Sequence, residues 1–443
     1  MYLLLLSSAL ISNKETKRRV TKMVFKILIS GAGIAGPSLA YFLSLAGAGH
    51  QITIVERFPA IRKTGAQVDL RAQGIEVVKR SVLLDAICSK LVPEEGVSFV
   101  NSKGVVQGSI LANKSGQGAQ SLTSEYEIMR GELVGILYDA TRGLDGVKYI
   151  FGKEIESFTE EEDDIEGKGK VAVVFSDGSM DTFDLLVDAG GQGSRIRRSI
   201  LPPNATDPYR RVGVHVAYFF VPRIASDDNL RRVYNCSGGR MIFRRSHNAT
   251  ETQVYFFLRS DDPRLSSISK ADIETQKAFW ADRFRDAGWE TARFLEGLKT
   301  TEDFYCHEII QVKMDAWSSN GGCFVLLGDA AYCPCPLTGM GTTGAFVGAY
   351  VLAGEILRHP NDARTAVRNY EKTLRPFVDV IQELNTTALR LAMPESQWGV
   401  NVLHFLIRWL CWLKVPDIAA RLSRTEKGGW KVPEYEELRG VSS

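Results

Sequence analysis

An apolar run, Val24-Phe25-Lys26-Ile27-Leu28-Ile29, leads straight into Gly31-Ala32-Gly33-Ile34-Ala35-Gly36, and no other feature so narrows what this chain can fold into. The run has the character of a strand buried on both faces, and Ser38 to Leu45 carries helical spacing with Leu39, Phe42 and Leu43 on one side. Strand, glycine turn and helix in that order are the start of a dinucleotide site. The first glycine permits the tight turn, the second admits a pyrophosphate to the backbone, and the third lets helix and strand pack closely. The helix N-terminus offers N–H groups and a positive dipole end to the phosphates. A second strand, Gln51 to Val55, ends in Glu56, where an acid binds both hydroxyls of an adenosine ribose and disfavours a 2′-phosphate. The ligand is therefore FAD or NAD rather than NADP, and Gly31, Gly33, Ala35, Gly36, Glu56 and Arg57 are candidate cofactor residues.

A chain of 443 residues has room for two or three domains, and 44% hydrophobic with 24% charged residues is the balance of a soluble globular protein. A net charge of +2 gives no reason to expect nucleic acid. Seven cysteines, an odd number scattered along the chain, make no disulfide framework and point to a reducing, cytoplasmic setting. Cys333 and Cys335 are too close for CxxC chemistry, and no His and Cys spacing suggests a metal site. In residues 1–23 the apolar run Leu3 to Ile11 precedes its basic residues, the wrong order for a secretory signal, and is too short to span a membrane. This segment reads as a disordered extension.

Farther on, the pattern predicts an amphipathic helix from about Gln73 to Cys88, a hairpin and loop over residues 97 to 124, and a helix over Glu132 to Thr141. Arg130 stands at the start of that helix, where the dipole disfavours a cation unless it faces an anion such as phosphate. Residues Val147 to Leu186 read as a meander with a solvated acidic tip at Glu160 to Glu166. Phe183 to Ala189 is a buried strand running into a second glycine turn, Gly190 to Arg195. After Pro202-Pro203 come aromatic-rich strands at Val212 to Val221, Gly239 to Arg244 and Gln253 to Leu258, and a helix at Ile273 to Phe284. These predict an antiparallel sheet with one covered face, hence a second domain. The chain returns to the first domain with the strand Cys323 to Leu327, the sequence Gly328-Asp329-Ala330-Ala331, a glycine-rich loop and a helix of small residues at about Gly344 to Leu357.

Four separated pieces, Gly31 to Gly36 with Glu56, Arg130, Asp184 to Arg197, and Gly328 to Gly341, together resemble one family. It is the FAD-dependent aromatic hydroxylases that include para-hydroxybenzoate hydroxylase, and the tetracycline-inactivating monooxygenases within them are the most similar branch. The resemblance implies an α/β fold: a Rossmann-like FAD domain of the glutathione-reductase type, discontinuous over 24–200 and 313–395, with a substrate domain on an antiparallel sheet over 201–312. Residues 396–443 complete it as a C-terminal helix and tail. It also implies that Glu56 binds the adenosine ribose, Arg130 the pyrophosphate and Asp329 the ribityl chain. Pro336, Leu337, Thr338, Gly339, Met340 and Gly341 would then line the flavin ring. Two positions depart from the pattern. Gly190-Gly191 stand where the family has an acid followed by glycine, and Tyr332 stands where it usually has histidine. Cys335 replaces a small hydroxyl residue and is read as packing.

The implied activity is hydroxylation or epoxidation of an electron-rich aromatic or polyketide-like small molecule through a flavin C4a-hydroperoxide, with non-covalent FAD, O2 and NADPH or NADH. His215, Tyr218, Tyr234, Arg240, Tyr255 and Tyr305 are the candidate substrate-pocket residues, and no catalytic base is assigned. Two other readings stay open: an FAD-dependent oxidase, cyclase or isomerase that needs no nicotinamide, motivated by Gly190, and a non-catalytic flavin-binding module. The segment Trp398 to Lys414 is a helix whose polar residues Asn401, His404 and Arg408 form one narrow stripe. So wide an apolar surface belongs against protein or on a membrane. By the resemblance it braces the two domains, with weak membrane contact as the alternative.

Overall fold

A computed structural model describes residues 24–112, 124–161, 169–202, 205, 208–415 and 429–442. The extension 1–23, part of the loop before residue 124 and most of the acidic tip lie outside the described residues. The chain opens with β1 (Lys26–Ser30), α1 (Ala35–Leu45) and β2 (Gln51–Glu56), then runs through β3 (Gln67–Leu70), α2 (Ala72–Lys79) and α3 (Leu83–Cys88). Next come β4 (Gly96–Val100), β5 (Val106–Leu111), β6 (Tyr126–Met129), α4 (Arg130–Thr141), β7 (Val147–Phe151), β8 (Ile155–Glu161), β9 (Lys170–Phe175), β10 (Met180–Phe183) and β11 (Leu185–Asp188). A second group holds β12 (Tyr209–Pro222), β13 (Leu230–Cys236), β14 (Arg240–Ser246), β15 (Glu251–Arg259), α5 (Arg264–Ile268), α6 (Ile273–Phe284), α7 (Thr291–Thr300) and β16 (Phe304–Val312). The last elements are β17 (Phe324–Leu326), α8 (Asp329–Tyr332), α9 (Gly341–Arg358), α10 (Ala363–Ile381), α11 (Thr386–Ala392) and α12 (Gln397–Trp412).

Among the described residues the first sheet is parallel, in the order β17-β11-β1-β2-β7. Ile27, Leu28 and Ile29 of β1 pair with Leu185, Leu186 and Val187 on one side and with Ile52, Thr53 and Ile54 on the other. Helices cover such a sheet on both faces, which is why its strands are continuous apolar runs. α9 is its central helix, buried from Thr342 to Leu357 and packed between α1 and α10, so its sequence is apolar all round. The second large sheet has the order β16-β12-β15-β14-β13-β4-β5 and is antiparallel except where β13 meets β4. A three-stranded sheet, β10-β9-β8, and the ribbon β3-β6 complete the framework.

Several elements differ from the sequence pattern for identifiable reasons. The helix expected over 73–88 is two, because the Ser81 hydroxyl donates to the Val78 carbonyl (2.7 Å) and accepts the Leu83 N–H (3.3 Å), closing a turn between them. The meander expected over 147–186 is only β8-β9-β10; β7 and β11 at its ends belong to the parallel sheet, where their apolar faces are covered. The hairpin β4-β5 forms as expected, but by pairing with β13 it joins the large sheet, which so takes two strands from well before residue 201. Glu160 is no solvated tip: its carboxylate accepts the Cys323 N–H at 2.8 Å and the Ser319 hydroxyl, tying β8 to the strand entering β17.

The C-terminal segment divides its contacts. α12 rests mainly on β5, with a smaller contact to β13, so it lies along the edge of the large sheet rather than across two domains. Residues beyond it return to the other side: Val432, Tyr435 and Leu438 enter the core around α9, and the Tyr435 hydroxyl donates to Glu355 at 2.8 Å. The Arg358 guanidinium covers the same ring at 4.2 Å. Tyr435→Ala is expected to cost about 3–5 kcal/mol, the range for emptying a large buried aromatic site, and to lower the urea midpoint of unfolding.

Candidate functional site

Glu56, the last residue of β2, accepts the Ala32 N–H at 3.0 Å and the Phe58 N–H at 3.1 Å, which holds its carboxylate at the mouth of the first glycine turn. A Cβ on Gly31 would approach the Ala189 carbonyl to 2.6 Å, and one on Gly36 would overlap the Gly31 carbonyl, so both positions press α1 and β11 against the turn. At Gly33, by contrast, a Cβ would meet only the Arg130 Nη2, at 3.6 Å. Arg130 opens α4 and is half-buried, and among the described residues its guanidinium makes a single long hydrogen bond, to the Thr64 carbonyl at 3.4 Å. Burial and the charge of Arg62 lower its pKa, while Tyr305, Asp329 and Glu56 oppose that shift. Arg57 is exposed and stands 5.1 Å over the Phe58 ring, and Ala35 is the buried first residue of α1.

Asp329 starts α8 directly after Gly328. Burial raises its carboxyl above the usual range, offset in part by the Cys333 thiol that bonds to it and by Arg130. A Cβ on Gly341 would lie 3.9 Å from its Oδ1. Between them Pro336–Thr338 forms one 3-10 turn, Gly339 takes a left-handed conformation, and α9 begins at Gly341. The first-turn amides of α9 have no intrahelical acceptors and face outward along the helix axis. Beside this loop, Gly339 abuts Asp69 and Arg71 at the end of β3, whose side chains pair at 3.0 Å. Burial and the charge of Glu127 push the Asp69 carboxyl up to about 6.

The face of the large sheet nearest this loop is aromatic. Tyr218 lies 4.9 Å from Tyr255 and 5.0 Å from Tyr305, Phe243 lies 4.7 Å from Phe257, and Tyr305 stacks on His307 at 5.8 Å. Cys335 and Leu337 of the loop, with Leu389 and Met393 of the C-terminal segment, pack into the same cluster. The Tyr305 hydroxyl accepts the Ala66 N–H at 3.1 Å, and burial pushes its pKa up to about 12. Burial also lowers His307 to about 4, which leaves its imidazole neutral at physiological pH. Tyr218, Tyr255 and Tyr305 thus come together, whereas His215, Tyr234 and Arg240 do not join them. Alternation puts His215 on the other face, level with Leu258 and Glu308. Tyr234 bonds the Ala287 carbonyl there, and Arg240 pairs with Asp286 at 2.6 Å at the end of α6.

Residues 24–381 match the FAD binding domain family. The FAD-dependent monooxygenase asL6 of Sarocladium schorii is 37% identical over 430 residues, covering 94% of this chain and 99% of that protein. The flavin-dependent monooxygenase eupH of a Phoma species is 38% identical over 393 residues, 86% of this chain and 90% of its own. This chain belongs to the FAD-dependent monooxygenases. Among solved structures, tetracycline destructase Tet(51) superposes on the monooxygenase with a TM-score of 0.71 at 27% identity, over 94% of this chain and all of that one. Klebsiella pneumoniae HpxO bound to FAD, at 19% identity, 90% and 99% coverage and a TM-score of 0.69, shares the fold.

The cleft of the monooxygenase fits FAD on its own chemistry. A guanidinium with one long hydrogen bond lies beside a glycine that leaves room for phosphate, and Asp329 is a carboxylate with a thiol for its donor. The second glycine turn carries its acid differently from the family pattern. Asp188, the last residue of β11, accepts the Gly190 N–H at 2.9 Å and bonds the Ser194 hydroxyl, while buried Arg197 reaches the Ala330 carbonyl at 3.1 Å. This turn is thereby fastened to the start of α8.

Sequence reasoning missed a buried polar network behind the aromatic face. Gln253 accepts from the Tyr255 hydroxyl at 3.0 Å and donates to Gln67 at 3.0 Å, Gln67 bonds Glu127, and Arg245 pairs with both Glu127 and Glu94. The available signal was Arg244-Arg245 inside an otherwise apolar strand: adjacent residues point to opposite faces, so one of the two had to face the core.

Burial raises the Asp188 carboxyl from 3.8 to about 6. Between these values the folded state holds a proton that the unfolded state has lost, so this group's contribution to stability falls as pH rises and is constant above about 6. Asp188→Asn removes that component, and its stability relative to the parent should improve from about pH 4 to about pH 7 by at most about 3 kcal/mol in urea titrations.

Proposed function

We propose that this monooxygenase oxygenates an electron-rich aromatic or polycyclic molecule held between the Pro336–Met340 loop and the aromatic face of the large sheet. The observation that carries the reading is that Cys335 and Leu337 of this loop pack in one cluster with Tyr218, Tyr255, Phe257 and Tyr305. In this reading Glu56 holds the adenosine ribose, Arg130 the pyrophosphate and Asp329 the ribityl hydroxyls. The loop carries the flavin ring, and the amides of Gly341 and its neighbours face the edge that becomes negative on reduction. With NADPH or NADH and O2, the bound FAD supplies an electrophilic oxygen atom. The chain's own task is to orient the substrate and keep water out, and the aromatic face with neutral His307 and protonated Tyr305 suits that task. The tetracycline in the name of Tet(51) is a polycyclic aromatic and supports a sizeable planar substrate. We divide the chain accordingly, with the parallel sheet and its helices binding FAD and the seven-stranded sheet, including β4 and β5, binding substrate.

A second reading rests on Asp188. The acid of the second glycine turn faces inward to Gly190 and Ser194, and a turn built this way favours an FAD oxidase, cyclase or isomerase that needs no nicotinamide. Anaerobic stopped-flow mixing with NADPH and NADH across an aromatic library separates the two. Rapid bleaching of the flavin in the presence of a compound, followed in air by a product heavier by one oxygen atom, supports the monooxygenase reading. Flavin that stays oxidised with both nicotinamides and every compound favours the second.

Two outcomes concern the cofactor. Asp329→Ala removes hydrogen bonds to a charged group and should weaken FAD binding about ten- to a hundredfold by fluorescence titration. Arg240→Ala, on the far face of the sheet, should leave that affinity unchanged. Acid precipitation of the purified protein should release yellow FAD to the supernatant, and colour retained in the washed pellet would point to a covalent bond, with Cys335 the first residue to test.

A further inference from the structure

α12 is apolar on two opposite sides, and the protein covers only one. Val400 and His404 are buried, and Ile407 and Cys411 pack so closely on β5 that a Cβ on Gly108 would lie 3.0 Å from Ile407 and 2.7 Å from Cys411. At the helical repeat, Trp398, Phe405, Trp409 and Trp412 share the opposite side, with Leu413 beside them. Their exposures are 75%, 67%, 50% and 76%, a contiguous outward stripe of large side chains. Monomeric proteins seldom leave such a stripe in water, and one this aromatic marks a contact surface.

The charges on the same segment say what contacts it. From Gln397 to Val415 the charged residues are Arg408 and Lys414, both basic and both exposed. Arg408 lies at the margin of the stripe, where it donates to Gln107 at 2.6 Å. The nearest preceding acid, Glu395, is already paired with Arg259 at 3.0 Å. A second copy docked through the same stripe would bring these cations together without an acid on α12 to match them, because a two-fold contact sets like against like. An anionic lipid surface meets both features: its headgroups attract the basic rim, and its boundary with the acyl chains is where tryptophan side chains settle. The 16-residue helix is about 24 Å long, and no described helix is long and apolar enough to cross a membrane, so the contact is parallel to the surface.

We propose that the outward face of α12 docks this enzyme on the surface of an anionic lipid bilayer, with Trp398, Phe405, Trp409 and Trp412 inserted below the headgroups. The segment that would touch lipid continues from the one covering the substrate sheet. Asn235 Nδ2 donates to the Ala392 carbonyl at 2.6 Å, Arg259 Nη2 to the Met393 carbonyl at 3.0 Å, and Met393 packs in the cluster of the aromatic face. The docked enzyme would therefore hold the C-terminal edge of that face toward the bilayer. The proposal stands whichever molecule is oxygenated.

The test is flotation of the full FAD-loaded chain with phosphatidylcholine vesicles, with and without phosphatidylserine, alongside the double variant Phe405→Glu/Trp409→Glu. Both residues are exposed, so the variant should keep its FAD content and unfolding temperature. The parent is expected to float with the phosphatidylserine vesicles and the variant to partition about tenfold more weakly or less. Brominated phosphatidylcholine in those vesicles should quench the parent's tryptophan fluorescence, and Lys414→Gln should reduce the dependence on phosphatidylserine. A parent that floats with neither vesicle, or a folded variant that floats as well as the parent, overturns the proposal. So does a parent dimer that the variant dissociates in the absence of any flotation, because the face then belongs to a second copy.

Discussion

The relation between the two sheets depends on one buried cation. Arg245, near the end of β14, turns from the large sheet toward the FAD side and pairs with Glu94 before β4 and with Glu127 on the ribbon β3-β6. Its neighbour Arg244 points the other way, to Asp227 at 3.0 Å and Asp228 at 2.6 Å under α7. Taking such groups out of water is costly, and an apolar core of equal volume can be as stable or more so. Their geometry does what apolar contact does less well: it admits one register between the sheet and the ribbon. Because the same ribbon ends in Asp69 and Arg71 against Gly339, the register of the aromatic face over the loop before α9 follows from it.

This arrangement suits a reaction in which the cofactor carries the chemistry and the protein controls position and water. Few protonation changes are available at the aromatic face. His307 is held neutral by burial, Tyr305 is held protonated, and burial raises Tyr218 and Tyr255 still further. Polar atoms on this face are instead committed to fixed hydrogen bonds through Gln253 and Ala66. The face is consequently a shaped surface rather than an acid-base device, and no general base had to be found in the sequence.

The FAD side was legible because each of its pieces is local. A glycine turn between a strand and a helix, an acid at the next strand's end and Gly328-Asp329 before a glycine-rich loop carry their reasons within a few residues, and β1, α1, β2 and α9 formed where the pattern put them. The large sheet was legible only in part. Aromatic runs announced β12, β14 and β15, but nothing local says that β4 pairs with β13 or which face of β12 meets the flavin loop. A one-residue change of face separates His215 from Tyr218, and a bulge between Arg211 and Val214 helps to set it. The ion network was hidden for a related reason: Glu94, Glu127 and Arg245 are distant in sequence, and each alone resembles a surface charge.

Tyr332, where the related enzymes usually have histidine, shows how such a departure is accommodated. Its hydroxyl lies 3.0 Å from that of Tyr370, within a cluster closed by Trp317 at 4.8 Å. The ring reaches α9 at Gly348, where any Cβ would overlap the Tyr332 hydroxyl. The large residue and the missing one are two halves of a single fit. Each therefore sets the terms on which the other can change, and an evolutionary path that enlarges position 348 must first shorten position 332.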